Sequence, residues 1–285
     1  MPLERTRRIL ERARAGAYGV CAFNCINYET VSYVIEAAEE ACCPVIVQMY
    51  YAGGPEYMPL EAMAGIVQAL ARRTTVPVGL NLDHGNSLET CVMAVEAGFT
   101  SVMFDGSNLP LDENAARTRQ VVDAAHAAGV DVEGELGHVG SAARIEDFTD
   151  PRRFTDPRLA AEFVRETGVD ALAIAAGSAH GRYVAEPKLD FDRIRRIRAL
   201  ADVPLVLHGG SGIPADQLRR AVESGLAKFN IATDFLGCFY ESVRAAVNDP
   251  ATRSFSQAMM SARPPVKEFI HGAMAALGHE AAERA

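Results

Sequence analysis

Three histidines each stand between an apolar run and a glycine. His84 follows VPVGLNLD, His180 follows ALAIAAGSA and His208 follows PLVL, and a glycine comes directly after each. Neutral imidazole is the commonest protein ligand for zinc and similar ions. Three protein ligands with one open position are typical of a catalytic zinc site. We therefore predict that these side chains converge on one divalent metal ion.

The histidines belong to a pattern of short apolar segments that alternate with helical ones. Eight segments rich in Val, Ile, Leu or Phe recur at residues 19–24, 44–50, 77–83, 101–106, 131–136, 171–176, 204–209 and 227–232. The segments between them show helical spacing, and Ser87 and Gly98 flank one of them as expected caps. Strand and helix alternating eight times predict an α/β fold, a (β/α)8 TIM barrel, with C-terminal helices in a single domain of residues 1–285.

A doubly wound open sheet is the alternative architecture. Such a sheet usually carries a G-x-G-x-x-G turn after its first strand, whereas this chain has Asn24-Cys25-Ile26-Asn27 there. The length of 285 residues also suits one barrel, which typically needs about 250 residues. The sequence therefore favours the barrel.

Composition limits the partners and the compartment. A net charge of −9 argues against nucleic acid, because a phosphate backbone requires a basic surface. The six cysteines have no regular disulfide spacing, which indicates free thiols in a reducing compartment. The N-terminus is too polar for a signal peptide, and no apolar run reaches the roughly 18 residues that span a bilayer. We expect a cytoplasmic protein that acts on a small molecule, with no nucleic-acid or membrane partner.

Polar side chains occupy the ends of the predicted strands. They are Asn24, Asp83, His84, Asp105, Glu135, His180, His208 and Asn230. The C-terminal strand ends of a (β/α)8 barrel form its active site, so we expect these side chains to meet there. Asp83 is a candidate general acid/base, and the alternative is that it orients an imidazole. Adjacent side chains of a regular strand face opposite ways, so the first role requires that this alternation relaxes at the strand end.

Two turns have the character of phosphate-binding loops. Gly209, Gly210 and Ser211 follow the seventh strand, and the segment Asn230 to Thr233 ends the eighth. Barrels often bind phosphate with these two loops and a helix N-terminus. Glycines let backbone N–H groups approach the anion. The sequence therefore predicts a phosphate site beside the metal.

Other segments depart from the repeat. The stretch between Leu136 and Pro157 is long and polar, which is typical of a functional loop or lid. The C-terminal segment from about Val247 has helical character, and we expect Pro264-Pro265 to break it.

Lys228, on the eighth strand, leaves a Schiff-base mechanism open, since that chemistry needs an inward, desolvated lysine. The three histidines favour a metal mechanism.

Six motifs recur in the order and spacing of a known family. They are LDHG (82–85), SVMFDGS (101–107), VEGELG (132–137), TGVDALAIAAGSAHG (167–181), PLVLHGGSGIP (204–214) and KFNIATDF (228–235). Together they resemble the class II, metal-dependent ketose-bisphosphate aldolases, in the branch of tagatose- and fructose-bisphosphate aldolases. The resemblance implies a (β/α)8 barrel, assembled as a homodimer or homotetramer. It also implies zinc-dependent aldol cleavage and condensation of a ketose (bis)phosphate, which gives dihydroxyacetone phosphate and an aldehyde.

The resemblance also implies a role for each site residue. The catalytic Zn²⁺ would be held by His84, His180 and His208. Asp105 and Glu135 match acidic positions near the metal, and Asp83 would exchange a proton with the substrate hydroxyl. The substrate phosphate would bind to Gly181, Gly209, Gly210, Ser211, Asn230, Ile231, Ala232 and Thr233. A monovalent cation, Na⁺ or K⁺, would lie beside it, and Asn24 is a further candidate for substrate binding.

The chain departs from the family pattern in two places. The family usually has Gly-Gly after its fifth strand, followed by a Glu that moves the proton on the ketone's carbon. Here Ser141 replaces the second glycine, and Ala143 aligns with the Glu. We expect Glu146 to take its place after a shift of the loop. Tyr50 and Tyr51 occupy a segment that more often carries small hydroxyl residues, which indicates a reshaped pocket.

Two other functions remain open. A metal-dependent hydrolase on the same barrel would use zinc-bound water and would not need the phosphate loops. A sugar-phosphate-binding homologue with impaired catalysis would be explained by the loss of the loop Glu at Ala143. The detection of dihydroxyacetone phosphate as a product separates the hydrolase from an aldolase, and a Glu146→Gln variant tests whether that carboxylate replaces the missing base.

Overall fold

Eight parallel strands close into a barrel in a computed structural model that describes residues 3–51 and 58–279. The strands are β1 (Val20–Asn24), β2 (Val45–Tyr50), β3 (Val78–Gly85), β4 (Ser101–Phe104), β5 (Asp131–Leu136), β6 (Ala171–Ile174), β7 (Leu205–Leu207) and β8 (Leu226–Ile231). They pair in chain order, and β8 pairs with β1, so the sheet closes on itself. The closed sheet confirms the predicted barrel and excludes the doubly wound alternative.

A helix follows each strand. The helices are α1 (Thr6–Gly16), α2 (Tyr28–Glu40), α3 (Leu60–Ala71), α4 (Leu88–Ala97), α5 (Leu111–Ala127), α6 (Ile145–Thr149), α7 (Pro157–Thr167), α8 (Phe191–Leu200), α9 (Ala215–Ser224), α10 (Thr233–Asn248) and α11 (Phe255–Ala276). As predicted, Ser87 caps α4 by accepting from the backbone N–H of Thr90, and Gly98 ends it with a left-handed φ of 96°. Local signals therefore set these boundaries.

Helix α1 packs against one end of the barrel interior. Its Ile9 and Leu10 are fully buried in a cluster of interior side chains that includes Met103. The guanidinium of Arg5 donates to the carboxylate of Asp131, the first residue of β5. The helix therefore covers the N-terminal ends of the strands, and the functional side chains gather at the opposite ends.

The predicted break at Pro264-Pro265 is wrong, because α11 runs through both prolines. A proline inside a helix removes an N–H donor and frees a carbonyl one turn earlier. The freed carbonyls belong to Met260 and Ser261, and both residues are exposed, so water can solvate these carbonyls. The opposite face of the helix is buried through Val266 and Ile270, and this packing offsets the loss of two hydrogen bonds.

Two compositional predictions can be compared with the structure. Each of the six cysteines is a free thiol, as predicted. Among the described residues, no helix combines the length and the hydrophobicity needed to cross a bilayer.

Candidate metal centre and active site

Three imidazole nitrogens converge at the C-terminal mouth of the barrel. Nε2 of His84 lies 3.2 Å from Nε2 of His180 and 3.0 Å from Nδ1 of His208. The distance between the His180 and His208 nitrogens is 3.4 Å. A tetrahedral Zn²⁺ with bonds of about 2.0–2.1 Å would hold its nitrogens about 3.3 Å apart. The structure thus brings the three predicted ligands into a group of fitting size.

The end of β3 departs from regular strand geometry, and this departure brings Asp83 and His84 to one site. The pairing of β3 with β4 shifts in register between Leu82 and Gly85. His84 has a left-handed φ of 51°, a conformation that costs free energy in a residue other than glycine and is often found at functional positions. Oδ1 of Asp83 consequently lies 3.9 Å from Nε2 of His84.

Each imidazole has an inner nitrogen, which belongs to the group of three, and an outer nitrogen, which points away from it. The outer nitrogen of each ring lies within hydrogen-bond distance of an oxygen acceptor. Nδ1 of His84 is 3.0 Å from Oδ2 of Asp105, Nδ1 of His180 is 3.1 Å from the carbonyl oxygen of Val139, and Nε2 of His208 is 2.9 Å from Oε1 of Glu133. Carbonyl and carboxylate oxygens only accept, so each outer nitrogen carries a proton. When the rings are neutral, their inner nitrogens present lone pairs to one point, as a divalent cation requires.

The rings differ in their affinity for a second proton. Burial, followed by the charges of His208 and His84, lowers the pKa of His180 to about 4. Burial also opposes the charged form of His84, but Asp83 and the hydrogen bond with Asp105 outweigh it and raise the pKa of His84 to about 9. A metal ion therefore competes with a proton mainly on His84, and this competition weakens as the pH rises toward 9.

A second group beside the triad contains His84, Asp105 and Glu135, whose candidate ligand atoms lie within 4.8 Å of one another. Oε2 of Glu135 is buried and has no hydrogen-bond partner among the described residues. Burial, followed by the charge of Asp105, raises the pKa of Glu135 to about 8. A cation here would satisfy the orphaned oxygen, so the acidic pair fits the predicted second metal position.

Two amide side chains hold the carboxylate of Asp83. Nδ2 of Asn24 donates to Oδ2 at 2.7 Å, and Nδ2 of Asn230 donates to Oδ1 at 3.1 Å. Gln48 donates to Oδ1 of Asn24 at 2.8 Å, which fixes the orientation of that amide. Burial would raise the pKa of Asp83, but the positive charge of the neighbouring histidines, His84 first, outweighs it and holds the pKa below its usual value. Asp83 is therefore an oriented, ionised carboxylate, as a general base requires.

The two predicted phosphate-binding loops lie side by side. The N–H of Gly210 donates to the carbonyl of Asn230 at 3.0 Å, which joins the loop after β7 to the end of β8. Helix α10 begins at Thr233, and the first N–H groups of a helix favour an anion. Gly209 has a φ of 66°, and a Cβ there would lie 2.1 Å from the carbonyl oxygen of Ala179, so only glycine fits. The other predicted phosphate ligands lie in these loops or directly after His180: Gly181, Ser211, Ile231 and Ala232.

The long segment between β5 and α7 is docked onto the candidate metal site. The N–H of Ala142 donates to the carbonyl of His180 at 2.8 Å, and the N–H of His180 donates to the carbonyl of Gly140 at 2.8 Å. Asp147 is buried and accepts from the N–H of Ser141 and from Arg153, each at 2.8 Å. The two backbone hydrogen bonds hold the segment against the loop after β6, which carries His180.

Helix α6 carries two neighbouring carboxylates in different environments. Asp147 anchors the segment, whereas Glu146 is exposed and forms no ion pair with the described residues. Ala143, which aligns with the family's Glu, is also exposed. Of these two carboxylates, Glu146 is therefore the one that is not engaged in anchoring the loop.

Tyr183 supports the site in a way that the sequence did not reveal. Its hydroxyl donates to the carbonyl of Gly209 at 2.8 Å and accepts from the N–H of Ala179 at 2.9 Å. Its ring packs against Phe148 of α6, with the centroids 5.1 Å apart. Tyr183 thereby joins the loops after β6 and β7 to the long segment. Ala179 lies four residues earlier in the same loop, whereas Gly209 and Phe148 follow other strands, so no local spacing marks the role of Tyr183.

Lys228 is not placed for Schiff-base chemistry. Its side chain is fully buried, and Nζ lies 2.7 Å from Oε2 of Glu133. The amine that a Schiff base would need is thus engaged in an ion pair. Glu133 was also missed from the sequence, although the alternation of Asp131, Glu133 and Glu135 along β5 was a usable signal.

One of the two unusual tyrosines faces the metal site. Tyr50 ends β2, and its ring meets that of His84 edge-on, with the centroids 6.0 Å apart. Tyr51 is partly buried against the outer hydrophobic core. The prediction of a reshaped pocket therefore concerns Tyr50.

Comparison with known proteins decides the family. The family model described as "Fructose-bisphosphate aldolase class-II" matches residues 4–282. The chain belongs to the class II fructose-bisphosphate aldolase family. The resemblance carried by the six motifs is thereby confirmed.

Individual relatives of this class II aldolase agree along its whole length. A fructose-bisphosphate aldolase of Geobacillus stearothermophilus is 40% identical over 283 residues, which cover 98% of each protein. The crystal structure of the YdjI aldolase from Escherichia coli K12 has a TM-score of 0.87 and 35% identity, over 98% of both chains. The fructose-bisphosphate aldolase (Fba) of Campylobacter jejuni, at 23% identity and a TM-score of 0.81 over 97% of this chain and 95% of that one, shares the fold. Membership makes the chain an aldolase, a carbon–carbon lyase of a metal-dependent family.

Proposed function

We propose that this class II aldolase uses Zn²⁺ to split a ketose bisphosphate reversibly into dihydroxyacetone phosphate and an aldehyde. The observation that carries the proposal is the convergence of the His84, His180 and His208 nitrogens, at 3.0–3.4 Å, in the same mouth as the phosphate loops. A set of three neutral imidazoles suits zinc and leaves one position for substrate. This geometry supports fructose-type and tagatose-type substrates equally.

Asp83 is the proposed proton carrier at the hydroxyl. During cleavage it takes the proton of the C4 hydroxyl as the C3–C4 bond breaks and C4 becomes the aldehyde carbon. The electron pair stays on C3, next to the C2 carbonyl, where bound Zn²⁺ supplies Lewis acidity. Asn24 and Asn230 hold the carboxylate in place, at 2.7 and 3.1 Å, throughout this transfer. In condensation the same carboxylate returns the proton.

The loops are proposed to anchor the phosphate of dihydroxyacetone phosphate. Gly209, Gly210 and Ser211 lie beside the N-terminus of α10, where backbone N–H groups and the helix dipole favour an anion. Binding energy from this remote group orients the reacting carbons. Glu146 is proposed to deliver the proton to C3, because it is the exposed carboxylate of the segment docked on His180.

Further proposals follow from the family resemblance. A second metal position would lie at Asp105 and Glu135, which the unpartnered oxygen of Glu135 supports. A monovalent cation, Na⁺ or K⁺, would accompany the phosphate. We propose that residues 1–285 form one domain and that the protein is a cytoplasmic homodimer or homotetramer, for which the free cysteines and the family are the support.

The proposal is tested by replacing His208 with Ala. We expect the variant to lose its bound zinc and its production of dihydroxyacetone phosphate from a panel of ketose bisphosphates, because a catalytic site needs all three ligands. Metal content by atomic absorption and a coupled product assay provide the two measurements.

His126→Ala is the control for this experiment. His126 lies on α5 and pairs with Asp170 at 2.7 Å, outside the metal-binding groups of the described residues. The control should keep its zinc. Unchanged zinc in His208→Ala would refute the ligand assignment. A zinc-loaded wild-type protein that forms no dihydroxyacetone phosphate would favour the hydrolase or the impaired homologue.

A further inference from the structure

The interior of the barrel holds charged groups at successive depths below the metal site. Along β5, Asp131, Glu133 and Glu135 alternate with apolar residues and share one face. At the lower end, Asp131 accepts from Arg5. At the mouth, Glu135 belongs to the second metal-binding group. Glu133 lies between these two levels and contacts Lys228.

Glu133 uses both oxygens of its carboxylate. Oε2 accepts from Nζ of Lys228 at 2.7 Å, and Oε1 accepts from Nε2 of His208 at 2.9 Å. The exposed fraction of the side chain is 0% for Lys228 and His208 and 3% for Glu133. Strands β5 and β8 are separated by β6 and β7, so the contact between Lys228 and Glu133 crosses the barrel interior.

Packing by itself does not explain this ion pair. Removing two charges from water is costly, and an apolar pair of similar volume is often at least as stable. A hydrophobic cluster that includes Ala227, the neighbour of Lys228 in sequence, also contains Ile46 and Met103. The ion pair does provide something an apolar pair lacks, which is a fixed oxygen acceptor beside the ring of His208.

We infer that Lys228 and Glu133 are positioning residues for the metal ligand His208. Lys228 has donors only, so it fixes one carboxylate oxygen and leaves the other to His208. Glu133 then keeps the proton of His208 on Nε2 and directs Nδ1 toward the inner nitrogens of His84 and His180. The inference rests on the proposed zinc site and adds the residues that prepare its third ligand.

A Glu133→Gln variant tests the inference with little change of volume. Lys228 accepts no hydrogen bond, so the amide oxygen faces Lys228 and the NH₂ group faces Nε2 of His208. Nε2 must then accept, and the ring proton moves to Nδ1, the atom that binds the metal. We expect the zinc affinity, measured by competition with a chelator, to fall about 10- to 100-fold. The visible absorption spectrum of the Co²⁺-substituted protein should change in the same variant.

The double variant Glu133→Gln with Lys228→Met separates positioning from packing. With the ammonium removed, the amide oxygen is free to turn to Nε2 of His208. Zinc affinity should therefore rise again by about tenfold relative to the single variant. A merely structural role predicts the opposite order, because two core substitutions would damage the barrel more than one. This variant also has no unpaired buried charge, so it provides a folded protein if the single variant is unstable.

Asp131→Asn is the matched control. It changes a buried carboxylate of the same strand and the same face, which pairs with Arg5 and lies away from His208. It should lose stability in urea and keep the zinc affinity of the wild type. Wild-type affinity in Glu133→Gln, an equal loss in Asp131→Asn, or a double variant that binds no tighter than the single one would overturn the inference. Wild-type protein that binds no zinc would overturn the proposed function as well.

Discussion

At the scale of single residues, the partners of a side chain decide its role. Four carboxylates surround the histidines, and each has different contacts. Asp105 and Glu133 each hold the outer nitrogen of a ring, and Glu135 has a pKa raised to about 8 by burial and by Asp105. Asp83 is held by two amides beside the inner nitrogens. These contacts support the proposed role of Asp83 as the carboxylate that exchanges a proton with substrate.

Asp83→Asn should remove most of the cleavage activity and leave metal binding intact. The amide keeps the shape of the carboxylate but cannot take the hydroxyl proton, and the loss of such a base costs roughly 10²- to 10⁴-fold in kcat. Steady-state cleavage and zinc content per chain provide the measurements. Zinc content is the internal control because Asp83 is not among the three nitrogen ligands. Near-normal kcat in a zinc-loaded variant would contradict the assignment.

At the scale of elements, the long segment between β5 and α7 combines anchoring with exposure. The carbonyl of Gly140 and the N–H of Ala142 each form a hydrogen bond with the backbone of His180. Asp147 is buried and pairs with two arginines. Glu146 extends from the same short helix into solvent. A fixed segment with one unengaged carboxylate supports the proposed role of Glu146 in proton delivery.

Glu146→Gln should slow the exchange of the carbon-bound proton of dihydroxyacetone phosphate with solvent by about 10²-fold, because the amide cannot carry that proton. Deuterium exchange followed by NMR measures this step without the aldehyde. Asp150→Asn, directly after α6, is the matched control, since Asp150 pairs with Arg152 at the surface. It should exchange at the wild-type rate. Equal rates in Glu146→Gln and wild type would exclude Glu146 as the base.

At the scale of the whole molecule, a bound metal would join parts of the chain that are far apart in sequence. His84 lies near the end of β3, His180 follows β6 and His208 follows β7. One ion bound to all three would therefore link three separate strand ends of the barrel. A ligand that binds only the folded state stabilises it by mass action. Zinc should therefore contribute to global stability as well as to catalysis.

Removal of the metal should lower the free energy of unfolding. At a zinc concentration 1,000-fold above the dissociation constant, the expected loss is about 4 kcal/mol. Urea unfolding with and without a chelator measures it. His208→Ala should show no such dependence on metal. A wild-type protein whose unfolding is insensitive to the chelator would argue against a tightly held ion.

Local sequence signals determined the order of strands and helices in this protein. The alternation of apolar strands with amphipathic helices predicted the barrel, because periodicity and caps act over a few residues. The three His-Gly strand ends predicted the metal-binding group, because the C-terminal ends of all strands meet at one mouth of the barrel. The break at Pro264-Pro265 was predicted wrongly because the cost of the two prolines is offset by the packing of α11, which local sequence does not show.

Tertiary structure decided the rest, because it depends on which distant side chains meet. The irregular end of β3, with the left-handed backbone of His84, places Asp83 beside the group of three histidines, and strand alternation by itself left that open. The pairing of Lys228 with Glu133 changed a candidate nucleophile into a buried ion pair. Tyr183 gained its linking role from Gly209 and Phe148, which follow other strands. Spacing along the chain specifies the elements, whereas contacts between residues that are far apart in sequence form only when the barrel closes.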